Sequence, residues 1–131
     1  MKKFILMLLT ISCFFVSICA ESLPQVTQAT DVHYRLFPTQ NMWTFLKLDT
    51  VTGKIWQVQF SIQDDAYRFE TVLSSVDLTE KFKQDKRIGR YTLYSTSNVY
   101  NFVMLDQFDG YTYQVQWNNE KENRFVIPIS N

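Results

Sequence analysis

Both cysteines of the chain, Cys13 and Cys19, lie within its first twenty residues. The rest therefore has no disulfide framework open to it, and a hydrophobic core must hold it together. Glycine is nearly as scarce, with three in 131 residues, so no glycine-rich phosphate cradle can be built. There is one histidine, His33. Zinc and copper sites need several converging donors, which leaves no metal or other cofactor to expect. A Ser-His-Asp set would have to use His33, and no nucleophile-elbow motif accompanies it. A charge excess of either sign is also missing, with 13 basic and 13 acidic side chains. A nucleic-acid or anionic-membrane surface needs a clear basic excess. The one basic cluster, "EKFKQDKRIGR" from Glu80 to Arg90, is interrupted by acids and reads as a solvated connector.

What is present begins with a leader. Lys2 and Lys3 precede an almost unbroken apolar stretch from Phe4 to Cys19, and Ala20 offers a small residue for cleavage. Residues 1–20 read as a secretory signal peptide. The apolar core is short for a bilayer span of ~20 residues, so no transmembrane segment is expected after processing. Lipidation of Cys13 or Cys19 at the cell envelope is the lesser alternative. The expectation is an exported protein, periplasmic or extracellular, with 11 basic and 13 acidic side chains left after Lys2 and Lys3 depart. Residues 21–131 are long enough for one domain and too short for two independent ones.

The chain then repeats itself. "FLKLDTVTGKIWQVQF" (Phe45–Phe60) returns as "FVMLDQFDGYTYQVQW" (Phe102–Trp117). Tyr34 aligns with Tyr91, Thr39 with Thr96, Asn41 with Asn98, Asp49 with Asp106 and Gly53 with Gly110. After one gap, Arg68-Phe69 aligns with Arg124-Phe125. Such ordered identity marks an internal duplication, with repeat 1 at about 34–73, a connector at 74–90 and repeat 2 at about 91–129.

Each copy reads as four antiparallel strands, near 34–38, 43–49, 54–62 and 67–73, then 91–95, 99–105, 111–117 and 124–129. "KIWQVQFSI" alternates, which predicts that Trp56, Val58, Phe60 and Ile62 are buried while Ile55, Gln57 and Gln59 face water. The second copy predicts the same for Tyr113, Val115 and Trp117 against Gln114 and Gln116. The preceding strand is apolar on both faces and reads as central. "DTVTG" and "DQFDG" are tight hairpins, with the aspartate bonding the turn backbone and glycine supplying a positive φ. In the connector, Asp77 and Glu80 have capping spacing for a helical turn; a polar loop with a short strand is the alternative. Four strands alone leave an apolar face open, so the fold class is an all-β antiparallel sandwich or barrel of two pseudo-symmetric four-stranded repeats.

"YRLFPTQNMWTFLKLDTVTGKIWQVQF" resembles an uncharacterised family of small secreted proteins of Gram-negative bacteria that carry two tandem YPTQN…FLxLD…G…WQVQW units. The resemblance implies secretion and duplication and no catalytic residues. The second copy departs from that pattern, with Ser95 at the proline and Tyr113 at the first tryptophan. "LDTVTGKIW" also resembles the hairpins of quinoprotein-type propeller blades. A propeller needs about four blades or more, so one built from this chain would have to be assembled from several copies.

For chemistry, Asp49 and Asp106 are the candidate carboxylate pair for a glycosidase-type site, but their place at hairpin starts fits turn capping better. Aromatic and amide side chains are left over: Trp43, Gln57, Gln59, Tyr100, Gln114 and Gln116, with Phe37 and Tyr94 beside them. Aromatics next to amides suit sugar stacking or a protein contact, and cross-strand pairing is the structural alternative. The expected function is a non-catalytic exported binding module for a protein or glycan. The alternative is a small inhibitor of a secreted hydrolase such as a protease, acting through loops 50–53 and 107–110.

Overall fold

The computed structural model describes residues 29–129. The expected leader, both cysteines and residues 21–28 lie outside the described residues. Eight strands form two separate four-stranded antiparallel meanders, and neither closes into a barrel. The first sheet holds β1 (Tyr34–Pro38), β2 (Thr44–Asp49), β3 (Ile55–Gln59) and β4 (Phe69–Ser74) in that order. The second holds β5 (Tyr91–Ser95), β6 (Asn101–Asp106), β7 (Thr112–Gln116) and β8 (Phe125–Pro128). Pro128 sits on the edge strand β8, where its missing N–H interrupts no ladder on the far side. The strand at 54–62 is shorter than its alternation implies. After Gln59 the Ser61 hydroxyl bonds the amide of Gln63 at 3.1 Å, and Asp64 caps a 3₁₀ turn at Asp65–Tyr67. Among the described residues no helix is long and apolar enough to cross a membrane.

The same turn hardware appears twice. Asp49 Oδ1 accepts from the amides of Val51 and Thr52 at 2.9 and 3.1 Å. Asp106 Oδ1 accepts from those of Phe108 and Asp109 at 3.0 and 3.1 Å. Gly53 and Gly110 close these hairpins at φ +77° and +78°, values that cost an L side chain energy. The Thr-x-Asn segments do parallel work. The Thr39 and Thr96 hydroxyls each accept from the amide two residues on, at 3.1 Å, and Asn41 and Asn98 accept from the amides of Trp43 and Tyr100. The repeated motif is thus largely a prescription for two turns and the register between them.

The connector forms one helical turn, α1 (Leu78–Lys81), capped by Asp77, whose Oδ1 accepts from the Glu80 amide at 3.0 Å. It lies across the first hairpin: the Leu78 amide donates to Thr52 O at 2.8 Å and the Tyr91 amide to Thr50 O at 2.9 Å. One buried apolar cluster runs through both sheets, from Leu46, Leu48 and Ile55 to Tyr91, Met104, Tyr113, Val115 and Trp117.

The two copies bury opposite faces. In the second sheet the core side is the aromatic one expected, with Tyr91, Leu93, Phe102, Met104, Tyr113 and Val115 inside. In the first sheet the aligned residues point outward, and Phe37, Thr44, Leu46, Leu48, Ile55 and Gln57 fill the core instead. Tyr34 is 53 % exposed and its counterpart Tyr91 0 %; Phe60 is 40 % exposed and Trp117 1 %; Phe37 is 9 % exposed and Tyr94 54 %. The expected burial of Trp56, Val58, Phe60 and Ile62 is therefore corrected. The physical reason is stacking direction. A two-fold axis between the sheets would bury equivalent positions in both. Here the second sheet instead follows the first in the same sense, so the front of one meets the back of the other. Charge supports this orientation. Lys47 and Glu70 pair on the outer aromatic face of the first sheet, where the second sheet has Met104 and Val126 facing the core.

Candidate binding surfaces

The six expected site residues do not converge. Gln57 is fully buried between the sheets. Its Nε2 lies 3.5 Å from Asn119 Oδ1, and its Oε1 has no partner among the described residues. This corrects its assignment as a surface ligand group. Its direction follows from β3 turning Ile55 and Gln57 inward together. Gln114 and Gln116 lie on the outer face of the second sheet, where they form an amide ladder. Gln114 Nε2 donates to Asn101 Oδ1 at 2.7 Å, Asn101 Nδ2 donates to Gln116 Oε1 at 3.3 Å, and Gln116 Nε2 donates to Asn123 O at 2.9 Å. The ladder uses cross-strand neighbours across β6 and β7.

Trp43 and Gln59 do come together. With Phe60, Ile62, Gln63 and Tyr67 they line a concavity of about 290 Å³ at one end of the first sheet. Its wall is set by the register of β2 and β3, because the Phe60 amide donates to Trp43 O at 3.0 Å. The two rings lie 5.3 Å apart at 59°. The counterpart pair, Tyr100 and Trp117, repeats that geometry at 5.3 Å and 51°, and Trp117 Nε1 donates to Val99 O at 3.0 Å. Tyr100 remains exposed at the end of its sheet while Trp117 goes into the core. The concavity thus exists on the first copy, and Tyr67, which completes it, was not singled out in the sequence. Its signal was the loop insertion that forces the one alignment gap.

His33, Asp49, Arg90 and Asp106 are engaged in holding the hairpins. His33 Nε2 lies 3.1 Å from Asp49 Oδ1, and the aligned Arg90 lies 2.9 Å from Asp106 Oδ2. His33 and Arg90 are therefore equivalent partners of the two turn aspartates, a doubling that residue identity concealed. Arg90 also reaches Asp109 at 3.1 Å. Burial opposes its charge, yet the hydrogen bonds and charges of Asp106 and Asp109 raise its pKa above the usual value. Gln84 Nε2 donates to both carboxylates at 2.9 and 2.6 Å, and its Oε1 accepts from the Tyr91 hydroxyl at 2.9 Å. Burial, reinforced by Asp106, pushes the Tyr91 phenol well above its ordinary range. This network ties the connector to the second hairpin. Among the described residues no group of three His, Cys, Asp or Glu side chains could hold a metal ion. Of the two loops considered for inhibition, 50–53 is buried beneath α1 and β5, whereas 107–110 is exposed.

Comparison with family models, curated proteins and solved structures finds no match to this chain.

Proposed function

We propose that the chain is an exported, non-catalytic binding module that takes an apolar ring of a glycan or of a protein partner at the Trp43 end of the first sheet. The carrying observation is the concavity lined by the Trp43 and Tyr67 rings together with the Gln59 and Gln63 side chains. Rings supply a flat apolar face, and amides fix orientation by donating and accepting. Asp49 and Asp106, the strongest carboxylates for chemistry in the sequence, are occupied by turn amides, which supports binding over catalysis. Export rests on the leader and on the likeness to small secreted repeat proteins.

The test is a glycan array together with the exported proteins of the same cell, probed with the chain in the form that cell produces. Trp43→Ala should weaken any detected affinity by about 2 kcal/mol, roughly thirty-fold, if the ring is an anchor. Unchanged affinity across every hit removes this site.

A second reading, inhibition of a secreted hydrolase, is favoured by one observation. Loop 107–110 is exposed, presents Phe108, and is held by Asp106 and Arg90, so docking would order little chain. Deleting the Phe108 ring should then abolish inhibition of a co-secreted protease.

A further inference from the structure

The opposite burial of the two copies leaves the molecule with two unlike open faces. The outside of the first sheet carries Tyr34, Leu36, Trp56, Val58, Phe60 and Val72. Six aligned positions of the second sheet, Tyr91, Leu93, Tyr113, Val115, Trp117 and Pro128, lie on its core side, and all but the edge residue Pro128 are buried. The outside of the second sheet carries Tyr94, Val103, Leu105, Gln114 and Ile127. Their counterparts are Phe37, Leu46, Leu48, Gln57 and Thr71, the surface on which the second sheet rests. Each open face is therefore a second edition of one side of the interface already inside the molecule.

We propose that these faces dock on each other between copies of this chain, so that the outside of the second sheet of one copy meets the outside of the first sheet of the next, repeating the internal stack.

The pairing is one of unlike surfaces, so it is heterologous, and each added copy leaves a face of the same kind open. Such a series either closes into a ring or runs on as a fibre. Stacked four-stranded sheets close at roughly four to eight, which corresponds to about two to four copies of a two-sheet chain. Details at the rim fit the same operation. The first hairpin is covered by the chain that leads into the second sheet, with the Leu78 Cδ1 and Tyr91 Cδ2 atoms 2.7 and 3.4 Å from where a Cβ on Gly53 would stand. The equivalent point on Gly110 has nothing within 4 Å. In the stack, Tyr34 of the next copy takes the place that Tyr91 takes inside the molecule. Tyr100 stays exposed although its own sheet is covered, so its counterpart Trp43 stays outside the contact, whereas Phe60, the counterpart of buried Trp117, goes under it.

One feature of the outer face opposes association and sets its strength. Lys47, 4.7 Å above the Trp56 ring, and its partner Glu70 occupy the positions of Met104 and Val126. Desolvating this pair costs more than covering Met and Val. The contact between copies is accordingly weaker than the internal one and reversible.

The experiment is sedimentation across a concentration series of the chain in its exported form. We expect a reversible, discrete oligomer of two to four copies. Val58→Lys blocks the first-sheet face and Val103→Lys the second-sheet face, and each alone should sediment as a monomer with an unchanged circular dichroism spectrum. Mixed in equal amounts they should form a one-to-one dimer and nothing larger, because one good face of each kind remains. Lys47→Met with Glu70→Val should tighten the oligomer. Leu36→Lys and Ile127→Lys, at positions 43 % and 47 % exposed, repeat the test should either valine variant fail to fold. A wild-type chain that stays monomeric at the highest clear concentration overturns the proposal. So does an oligomer sensitive to only one of the two blocks, which is the signature of like-to-like pairing. Mixed variants that remain monomers, a weaker oligomer after the Lys47/Glu70 replacement, or capture of a different exported protein on these faces also overturn it.

Discussion

Gln57 and Gln114 hold the same place in the repeated "QVQ" and live in different solvents. Gln114 donates to Asn101 on an outer face. Gln57 sits in the core beside Leu46, with its carbonyl oxygen unpartnered among the described residues and the Thr44 hydroxyl orphaned nearby. An unsatisfied buried acceptor carries its full desolvation cost. Gln57→Leu removes that acceptor at similar volume and should raise stability by about 1 kcal/mol, read as an upward shift of the urea midpoint. A loss of stability would mean that a partner satisfies the amide after all. The amides were visible in the sequence as a repeated pair. Their direction was not, because alternation fixes which residues share a face and says nothing about which face meets the core.

The elements were largely legible. The hairpins follow from glycine, aspartate and period-two patterning, the capped turn at Asp77 is one of the two readings the connector left open, and the observed strands lie within the expected ones or differ by a residue or two. Strand ends were less legible where side chains such as Ser61 and Asp64 redirect the backbone. Two predictions belong here. Gly110→Ala meets only the cost of a positive φ, about 1 kcal/mol. Gly53→Ala meets that cost and also drives a methyl toward Leu78 Cδ1 at 2.7 Å, adding roughly 1–3 kcal/mol of overpacking. Thermal melts of the two variants should differ in that order, and equal shifts would contradict the covered first hairpin. Asp77 supplies the second. Burial works to raise its pKa, but the Thr79 hydroxyl, the Glu80 amide, Lys86 and Lys54 together hold it below the ordinary 3.8. A carboxylate depressed in the folded state stabilises above its unfolded pKa, and that contribution is lost as pH falls through the folded value. Asp77→Ala should therefore cost about 1 kcal/mol at neutral pH, and the gap from wild type should narrow below pH 3.8. A gap independent of pH would show that the charge is not what caps α1.

At the scale of the molecule, duplication was readable from identities, and stacking direction only from the differences between copies. Lys47 against Met104 and Glu70 against Val126 mark the aromatic face of the first copy as the outer one. Identities alone suggested two equivalent halves closing symmetrically on each other. The sheets follow one another instead, and that single fact accounts for the buried Gln57, the open Phe60, the covered Gly53 and the unlike outer faces. It is tested most directly by single cysteines, since residues 29–129 contain none. Leu36→Cys and Leu93→Cys occupy equivalent positions, as do Phe37→Cys and Tyr94→Cys. With the protein dilute enough to be monomeric, a thiol reagent should label positions 36 and 94 rapidly and leave 93 and 37 protected. Matching reactivity at 36 and 93, opposed by matching reactivity at 37 and 94, would contradict the account.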